Sequence, residues 1–324
     1  MRLDWIRRIL VVGAGTMGHS IAMVFAQNGF ETDLVDLKEE ILEQAFHLIQ
    51  SNLETLSRVR IICSKDIPKI LNRIHPSTSL SIAKRADLVI EAISEKAKMK
   101  KELFSSLDQI CPSRTILASN TSYLNIFKIV KTNRPEKILI THWYAPPHLI
   151  PLVDVVGGSR TSIETIEIVK RLLQKIGKKP VILRKFIPGY IVNRLQRAMA
   201  REIFYLLDHQ YASPEEIDNA VKWSLGIRIP VVGVVQRYDF TGLDLALDFE
   251  ENPSIRLVSR DRRPKTLIHL VKKGYLGVKT GRGFYDYSSR KKKEVIRERD
   301  LKLIKLMTFL KTSSFLNPPG NPFV

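Results

Sequence analysis

The chain has 324 residues, of which 44% are hydrophobic, and its formal net charge is +19. This length suits two domains of ordinary size with substantial cores. Its two cysteines, Cys63 and Cys111, lie far apart and have neither the spacing of a disulfide framework nor that of a metal site, which indicates a reducing, cytoplasmic compartment and no metal.

No apolar run approaches the ~20 residues of a membrane helix, and the N-terminal residues lack the apolar segment of a signal peptide. We therefore expect a soluble protein with no membrane partner. The positive charge attracts polyanions, and by itself it does not distinguish nucleic acid, anionic lipid and phosphorylated small molecules. Because the charge is dispersed and no nucleic-acid-binding module is recognisable, we predict no nucleic-acid partner.

Short apolar runs that suit buried strands alternate with helical patterns through the first half of the chain. This alternation predicts a largely parallel, doubly wound α/β sheet covered on both faces, a Rossmann-like domain at 1–186. The strand candidates are 9–12, 32–35, 88–90, 116–118, 138–141, 152–156 and 181–183, and a helix is predicted over 17–26.

Strand signals nearly vanish after Pro188 and Gly189, and helical patterns take their place at 190–210, 214–223 and 266–273. Ser213 before Pro214 is typical of an N-cap followed by proline in the first helical position. Apolar residues at helical spacing over 293–311, with basic residues on the other faces, predict a C-terminal helix docked on its own protein rather than on a membrane surface. Residues 187–324 are thus predicted to form a mostly helical domain, and we expect 317–324 to be irregular.

A glycine pattern follows the first strand and opens the first helix. Gly13 permits a tight turn, Gly15 permits close approach of a pyrophosphate, and Gly18 permits close packing of helix and strand. Asp36 ends the second strand, where a carboxylate accepts hydrogen bonds from ribose hydroxyls and repels a 2′-phosphate. The pattern predicts an NAD site, although the nearby Lys38 leaves a strict preference over NADP open.

His142 follows the strand candidate 138–141, at the edge where a doubly wound sheet presents residues to its crevice. A lone histidine in such a place is more often structural. Asp154 favours a functional role for His142, because it lies in another apolar strand candidate, where a buried carboxylate needs a partner. A ring N–H of His142 would supply the partner and fix the tautomer of the imidazole.

Several segments together resemble the L-3-hydroxyacyl-CoA dehydrogenase family, including its lambda-crystallin and L-gulonate 3-dehydrogenase branch. The resemblance extends from about residue 8 to residue 287 and agrees in order and spacing. Its segments are Val11-Val12-Gly13-Ala14-Gly15-Thr16-Met17-Gly18, Val89-Ile90-Glu91-Ala92, Ser119-Asn120-Thr121-Ser122, His142-Trp143-Tyr144-Ala145-Pro146, Pro151-Leu152-Val153-Asp154-Val155, Pro188-Gly189-Tyr190-Ile191-Val192-Asn193-Arg194 and Gly281-Arg282-Gly283-Phe284-Tyr285-Asp286-Tyr287.

The resemblance implies NAD-dependent, reversible oxidation of an L-3-hydroxyacyl-CoA to the 3-oxoacyl-CoA, a step of fatty acid β-oxidation, in a homodimer. His142 would be the general base, paired with Asp154, while Ser122 and Asn193 would bind near the reacting oxygen. Arg58 and Arg60 are candidates for the CoA phosphates. The residues assigned to the cofactor are Gly13, Ala14, Gly15, Thr16, Met17, Gly18, Asp36, Glu95, Lys100, Ser122 and Lys279.

Two departures from the family pattern concern the substrate. Ala145 replaces the asparagine of the H-x-x-N-P segment, and Asp154 replaces the usual glutamate. The lost amide removes one hydrogen bond, worth about 1–3 kcal/mol if nothing substitutes for it. Two alternatives therefore stay open, an NAD-dependent dehydrogenase of a free small hydroxy acid of the gulonate or carnitine type, and a non-catalytic, crystallin-like NAD-binding protein.

Overall fold

The computed structural model describes residues 5–254, 257 and 264–312. The chain divides into two compact units, an N-terminal unit at Met1–Val192 and a C-terminal unit at Asn193–Val324. The sequence predicted a boundary after residue 186, six residues earlier. The predicted irregular segment at 317–324 lies outside the described residues.

One eight-stranded sheet forms the centre of the N-terminal unit. Its strand order is β3-β2-β1-β4-β5-β6-β7-β8, and every neighbouring pair is parallel except β6 with β7. The strands are β1 Arg8–Val12, β2 Glu31–Val35, β3 Ile74–Ser77, β4 Leu88–Glu91, β5 Ile116–Ser119, β6 Ile138–Trp143, β7 Leu152–Gly157 and β8 Lys179–Leu183. The predicted Rossmann-like sheet is confirmed.

Helices cover this sheet, and their apolar residues form its core together with the buried strands. They are α1 Gly18–Gln27, α2 Glu39–Arg58, α3 Ile67–Leu71, α4 Ala97–Ile110, α5 Ile126–Ile129 and α6 Ile163–Lys175. The helix α2 shows the underlying pattern, since Leu42, Ala45, Ile49, Leu53 and Leu56 recur at helical spacing and are its buried residues.

The chain order reverses at β1, which lies between β2 and β4. In open α/β sheets, ligands bind outside the carboxyl ends of the strands at such a switch point. The turn after β1 and the ends of β4, β5 and β6 therefore face one crevice, and this edge of the sheet carries the candidate site.

The C-terminal unit is helical in the residues described, as predicted. Its helices are α7 Val192–Asp208, which begins one residue before the unit boundary, α8 Pro214–Trp223, α9 Leu225–Val232, α10 Arg237–Thr241, α11 Leu243–Glu251, α12 Lys265–Lys272 and α13 Lys292–Thr312. The predicted N-cap of α8 is present as a full capping box, because the Ser213 side chain accepts from Glu216 N and the Glu216 side chain accepts from Ser213 N. In the described part of the chain, no helix combines the length and apolar character needed to cross a bilayer.

Candidate active site

The glycine loop after β1 is built so that two of its glycines admit no side chain. Gly13 has a φ of +101°, and a Cβ on it would lie 2.6 Å from the carbonyl oxygen of Ala92. A Cβ on Gly18 would lie 1.6 Å from the carbonyl oxygen of Gly13, so strand and helix pack backbone to backbone. A Cβ on Gly15 would meet nothing within 4 Å. The open side of the loop is therefore the side that a pyrophosphate can approach.

Asp36 lies directly after β2 and reaches this loop. Its Oδ2 accepts a hydrogen bond from Ala14 N at 2.7 Å, and its Oδ1 accepts from Leu37 N at 2.8 Å. Each carboxylate oxygen has a second acceptor position, and the residue is half-buried, so ribose hydroxyls can still bind there. The glycine loop and Asp36 together fit the diphosphate and adenine ribose of NAD.

His142 and Asp154 are brought together by the antiparallel pairing of β6 with β7, which places the two residues directly opposite each other. His142 Nδ1 lies 3.3 Å from Asp154 Oδ2, and both side chains are buried. The sequence placed His142 just past its strand, which was wrong, since β6 continues to Trp143. Directly opposed residues have Cβ atoms about 4.5–5.5 Å apart, which explains how the short aspartate reaches the ring.

Ser122 follows β5 in a loop that is held by Glu95. The Glu95 carboxylate accepts from Ser122 N at 2.7 Å, from Tyr123 N at 3.2 Å and from the Thr121 hydroxyl. Lys100 Nζ lies 3.1 Å from the other Glu95 oxygen. Burial by itself raises the pKa of Glu95, but the Thr121 hydrogen bond and the Lys100 charge outweigh it and hold that pKa below its usual range.

Lys100 also pairs with Glu91 at the end of β4, where Nζ to Oε1 is 2.5 Å and both side chains are buried. Glu91 accepts a further hydrogen bond from Ser119 Oγ. Burial raises the pKa of Glu91, and the Lys100 ammonium opposes that rise. Lys100 therefore links strand β4 to the Ser122 loop. This link was not predicted from the sequence, because a lysine on a helix is ordinarily solvated.

We predict that Glu95→Gln loosens the Ser122 loop and lowers the free energy of unfolding by about 1–2 kcal/mol at neutral pH, because one charge-assisted acceptor is lost. A carboxyl whose pKa is lowered by folding stabilises the protein above its unfolded-state pKa, and that contribution is lost as pH falls through the folded value. The difference between wild type and variant should therefore shrink below about pH 4.5.

Urea unfolding of Glu95→Gln across pH, beside Glu102→Gln as a control, measures this effect. Glu102 is exposed on α4, and we expect its substitution to change stability little at any pH. Equal losses in the two variants would contradict the role assigned to Glu95.

Four of the residues named from the sequence lie on other elements of the chain. Arg58 ends α2 and Arg60 follows it with a φ of 59°, both exposed at the surface of the N-terminal unit. Asn193 lies in the first turn of α7, and Lys279 is exposed between Gly277 and Arg282 in the C-terminal unit. Their roles stay predictions.

Two tyrosines that sequence reasoning did not single out pack against His142. The Tyr144 ring is edge-on to the imidazole at 4.6 Å between centroids, and the Tyr190 ring lies at 4.8 Å. The Tyr144 hydroxyl donates to Asp154 Oδ2 at 2.6 Å, and the Tyr190 hydroxyl donates to the Thr121 carbonyl at 2.6 Å. Both tyrosines lie in segments that resemble the family, but the sequence does not show the partners of their hydroxyls, which depend on strand pairing and loop position.

The sheet, the glycine loop with Asp36, and the His142–Asp154 pair lie at one crevice. Among the residues described, no group of three or more His, Cys, Asp or Glu side chains is arranged to hold a metal ion. These features define an NAD-dependent dehydrogenase of the Rossmann type.

Two family models together match most of the chain. The 3-hydroxyacyl-CoA dehydrogenase NAD binding domain matches residues 8–186, and the 3-hydroxyacyl-CoA dehydrogenase C-terminal domain matches residues 189–287. The chain belongs to the 3-hydroxyacyl-CoA dehydrogenase family. The resemblance found in the sequence, and NAD as the cofactor, are confirmed.

Relatives and solved structures agree with this assignment. The "Probable 3-hydroxybutyryl-CoA dehydrogenase" of Bacillus subtilis is 39% identical over 287 residues, 88% of this chain and 99% of that protein. The (S)-3-hydroxybutyryl-CoA dehydrogenase of Ralstonia eutropha is similar in structure, with a TM-score of 0.69 at 34% identity over 87% of this chain and 99% of that one.

A third relative has a different kind of substrate in its name. The 5-formyl-3-hydroxy-2-methylpyridine 4-carboxylate 5-dehydrogenase of Mesorhizobium japonicum is 29% identical over 94% of this chain and 98% of that protein. A crystal structure of an enzyme of this activity, described as an NAD⁺-dependent dismutase, has a TM-score of 0.85 at 28% identity, covering 94% of this chain and 99% of that one.

Proposed function

We propose that the protein catalyses the reversible, NAD-dependent oxidation of an L-3-hydroxyacyl-CoA to the 3-oxoacyl-CoA, with His142 as the general base. The observation that carries the proposal is the buried His142–Asp154 pair, at the sheet edge that also bears the glycine loop. Relatives named as dehydrogenases of 3-hydroxyacyl-CoA thioesters support the substrate class.

His142 would act through Nε2. Its Nδ1 faces the Asp154 carboxylate, which accepts a hydrogen bond and so assigns the ring proton to Nδ1. The unprotonated Nε2 then takes the proton of the substrate hydroxyl, and Asp154 stabilises the imidazolium that forms. NAD, when bound, supplies the acceptor for the hydride from the same carbon. In the reverse direction the imidazolium returns the proton to the substrate oxygen.

Ser122 is proposed to donate a hydrogen bond to the substrate oxygen and to contact the cofactor. Asn193 is proposed to donate a second hydrogen bond to the same oxygen. The support for Ser122 is its loop, which Glu95 fixes through two backbone N–H groups. Arg58 and Arg60 are proposed for the CoA phosphates because both are exposed cations. The net charge of +19 also favours a polyphosphorylated substrate.

A second candidate is an NAD-dependent dehydrogenase that acts on a free small acid. It is favoured by the TM-score of 0.85 to the pyridine carboxylate dehydrogenase, which exceeds the 0.69 of the 3-hydroxybutyryl-CoA dehydrogenase. The exposed Ala145, which carries no amide, is also consistent with a changed substrate. His142, Asp154 and NAD would have the same roles in both candidates.

The experiment that separates the two candidates follows NADH absorbance with acetoacetyl-CoA and with free acetoacetate, and follows NAD reduction with L-gulonate and with 3-hydroxy pyridine carboxylates. Turnover that requires the CoA thioester supports the proposal. Turnover with free acids alone supports the second candidate. Binding of NADH without turnover of any of these compounds would exclude both for these substrates and leave the non-catalytic alternative.

We further propose that the protein is a homodimer formed through its C-terminal unit. In the described part of that unit, Ile217, Asp300 and Ile304 are the only buried residues. Large apolar side chains on or beside α8–α11 are exposed, among them Trp223, Val235, Phe240, Leu243, Leu247 and Phe249. Obligate dimer interfaces resemble a core divided between two subunits, so a second copy suits this surface.

The dimer predicts a mass in solution of twice the 37.1 kDa of one chain, and sedimentation equilibrium across a hundredfold range of concentration measures it. A mass of one chain throughout that range would contradict the proposal. A cytoplasmic location is proposed as well, since Cys63 and Cys111 are both free thiols.

A further inference from the structure

Asp154 has two hydrogen-bond donors on one oxygen. The Tyr144 hydroxyl lies 2.6 Å from Oδ2, and His142 Nδ1 lies 3.3 Å from the same atom. Asp154 Oδ1 is buried and has no hydrogen-bond partner among the described residues. The carboxylate that pairs with the proposed base is therefore held more closely by the tyrosine than by the histidine.

Tyr144 is suited to remain a donor at every working pH. Burial raises its pKa, and the hydrogen bond and negative charge of Asp154 raise it further. A neutral phenol that donates to a carboxylate disperses part of the carboxylate's charge. Less of that charge is then available to stabilise an imidazolium on His142.

The other groups around the imidazole do not duplicate this contact. Tyr190 packs its ring against His142, but its hydroxyl is engaged by the Thr121 carbonyl. Burial raises the pKa of Tyr190, and the negative charges of Glu95 and Glu91 raise it further. The ammonium of Lys100 is paired with both of these carboxylates. Within the N-terminal unit, Tyr144 is the neutral donor that shares Asp154 with the base.

We propose that Tyr144 is a positioning residue that shares the Asp154 carboxylate with His142 and so limits how strongly that carboxylate stabilises positive charge on the imidazole. This inference rests on the proposed role of His142 as the general base. Since oxidation requires the neutral imidazole, Tyr144 would extend that reaction toward acid pH.

The test compares Tyr144→Phe with Tyr190→Phe. Both substitutions remove one hydroxyl from a ring packed on His142, but only the first removes a donor from Asp154. The ring ¹⁵N shifts of His142 are followed across pH in the protein without substrate, with His142→Ala used to assign the signal. The pH dependence of kcat/KM for oxidation is measured beside them.

We expect the His142 titration, and the acid limb of the oxidation profile, to move to higher pH by about one unit in Tyr144→Phe, the size expected for a hydrogen bond to a charged group. We expect Tyr190→Phe to leave the titration midpoint in place. An unchanged or lowered midpoint in Tyr144→Phe, or an equal rise in Tyr190→Phe, would overturn the inference.

A second variant keeps the test decisive if Tyr144→Phe does not fold. Incorporation of 3-fluorotyrosine at position 144 gives a more acidic phenol and a stronger donor, so the midpoint should move to lower pH. A shift in the other direction, or none, overturns the inference. Equal turnover in wild type and His142→Ala would refute the proposed function. The His142 titration is measured without turnover, so it tests the role of Tyr144 separately.

Discussion

Substitution of His142 by alanine is expected to lower kcat for oxidation by a factor of about 10²–10⁴ and to leave the affinity for NADH within twofold of wild type. The range is that of a positioned general base. Affinity should persist because the glycine loop and Asp36 lie directly after β1 and β2, and their contacts are made without His142. Steady-state kinetics and a fluorescence titration with NADH measure the two quantities.

Asp154→Asn and His75→Ala complete this experiment. The asparagine removes the negative charge that would stabilise the imidazolium, so we expect a loss of activity smaller than that of His142→Ala. His75 pairs with Glu31 at the surface, at the edge of the sheet, and its substitution should leave kcat unchanged. A His142→Ala protein that retains more than a tenth of the wild-type kcat would show that another group is the base.

Gly15→Ala and Gly18→Ala are expected to fail in different ways. The added methyl at Gly15 meets open space, so the protein should fold with an unchanged Tm but bind NADH at least tenfold more weakly, because the methyl occupies the approach of the pyrophosphate. The methyl at Gly18 would lie 1.6 Å from a backbone oxygen, and β1 and α1 would have to separate. We expect Gly18→Ala to lose several kcal/mol of stability or to be insoluble.

Thermal unfolding and NADH titration of the two variants together test the assignment of the loop. A Gly15→Ala protein that binds NADH as wild type does would show that the cofactor does not approach this side of the loop. A Gly18→Ala protein with wild-type Tm would contradict the close packing of β1 with α1.

Seven of the eight strands could be predicted from the sequence because each contains a short apolar run. Six of them are largely buried, whereas β8 is not. The eighth, β3, was missed. It lies at the edge of the sheet, is half-buried and contains Pro76, and proline in a strand ordinarily argues against one. Its parallel pairing with β2 supplies the burial that its own composition does not indicate.

The His142–Asp154 pair could be anticipated because a buried carboxylate requires a partner, and the pairing of β6 with β7 supplies it. The substitution of aspartate for the family's glutamate is explained in the same way, since directly opposed strand residues are close enough for the shorter side chain. The hydroxyl of Tyr144 could not be assigned in advance, because its partner lies ten residues away on a strand whose register the sequence leaves open.

Hydride transfer with His142 as the acid–base group is tested by the transfer of deuterium from NADH labelled with two deuterium atoms at C4 of the nicotinamide. The protein is incubated with this NADH and acetoacetyl-CoA, and the product is analysed by mass spectrometry. We predict 3-hydroxybutyryl-CoA with one deuterium at C3, formed by wild type and formed at least a hundredfold more slowly by His142→Ala. Absence of deuterium from C3, or equal formation by the two proteins, would contradict hydride transfer with His142 as the acid–base group.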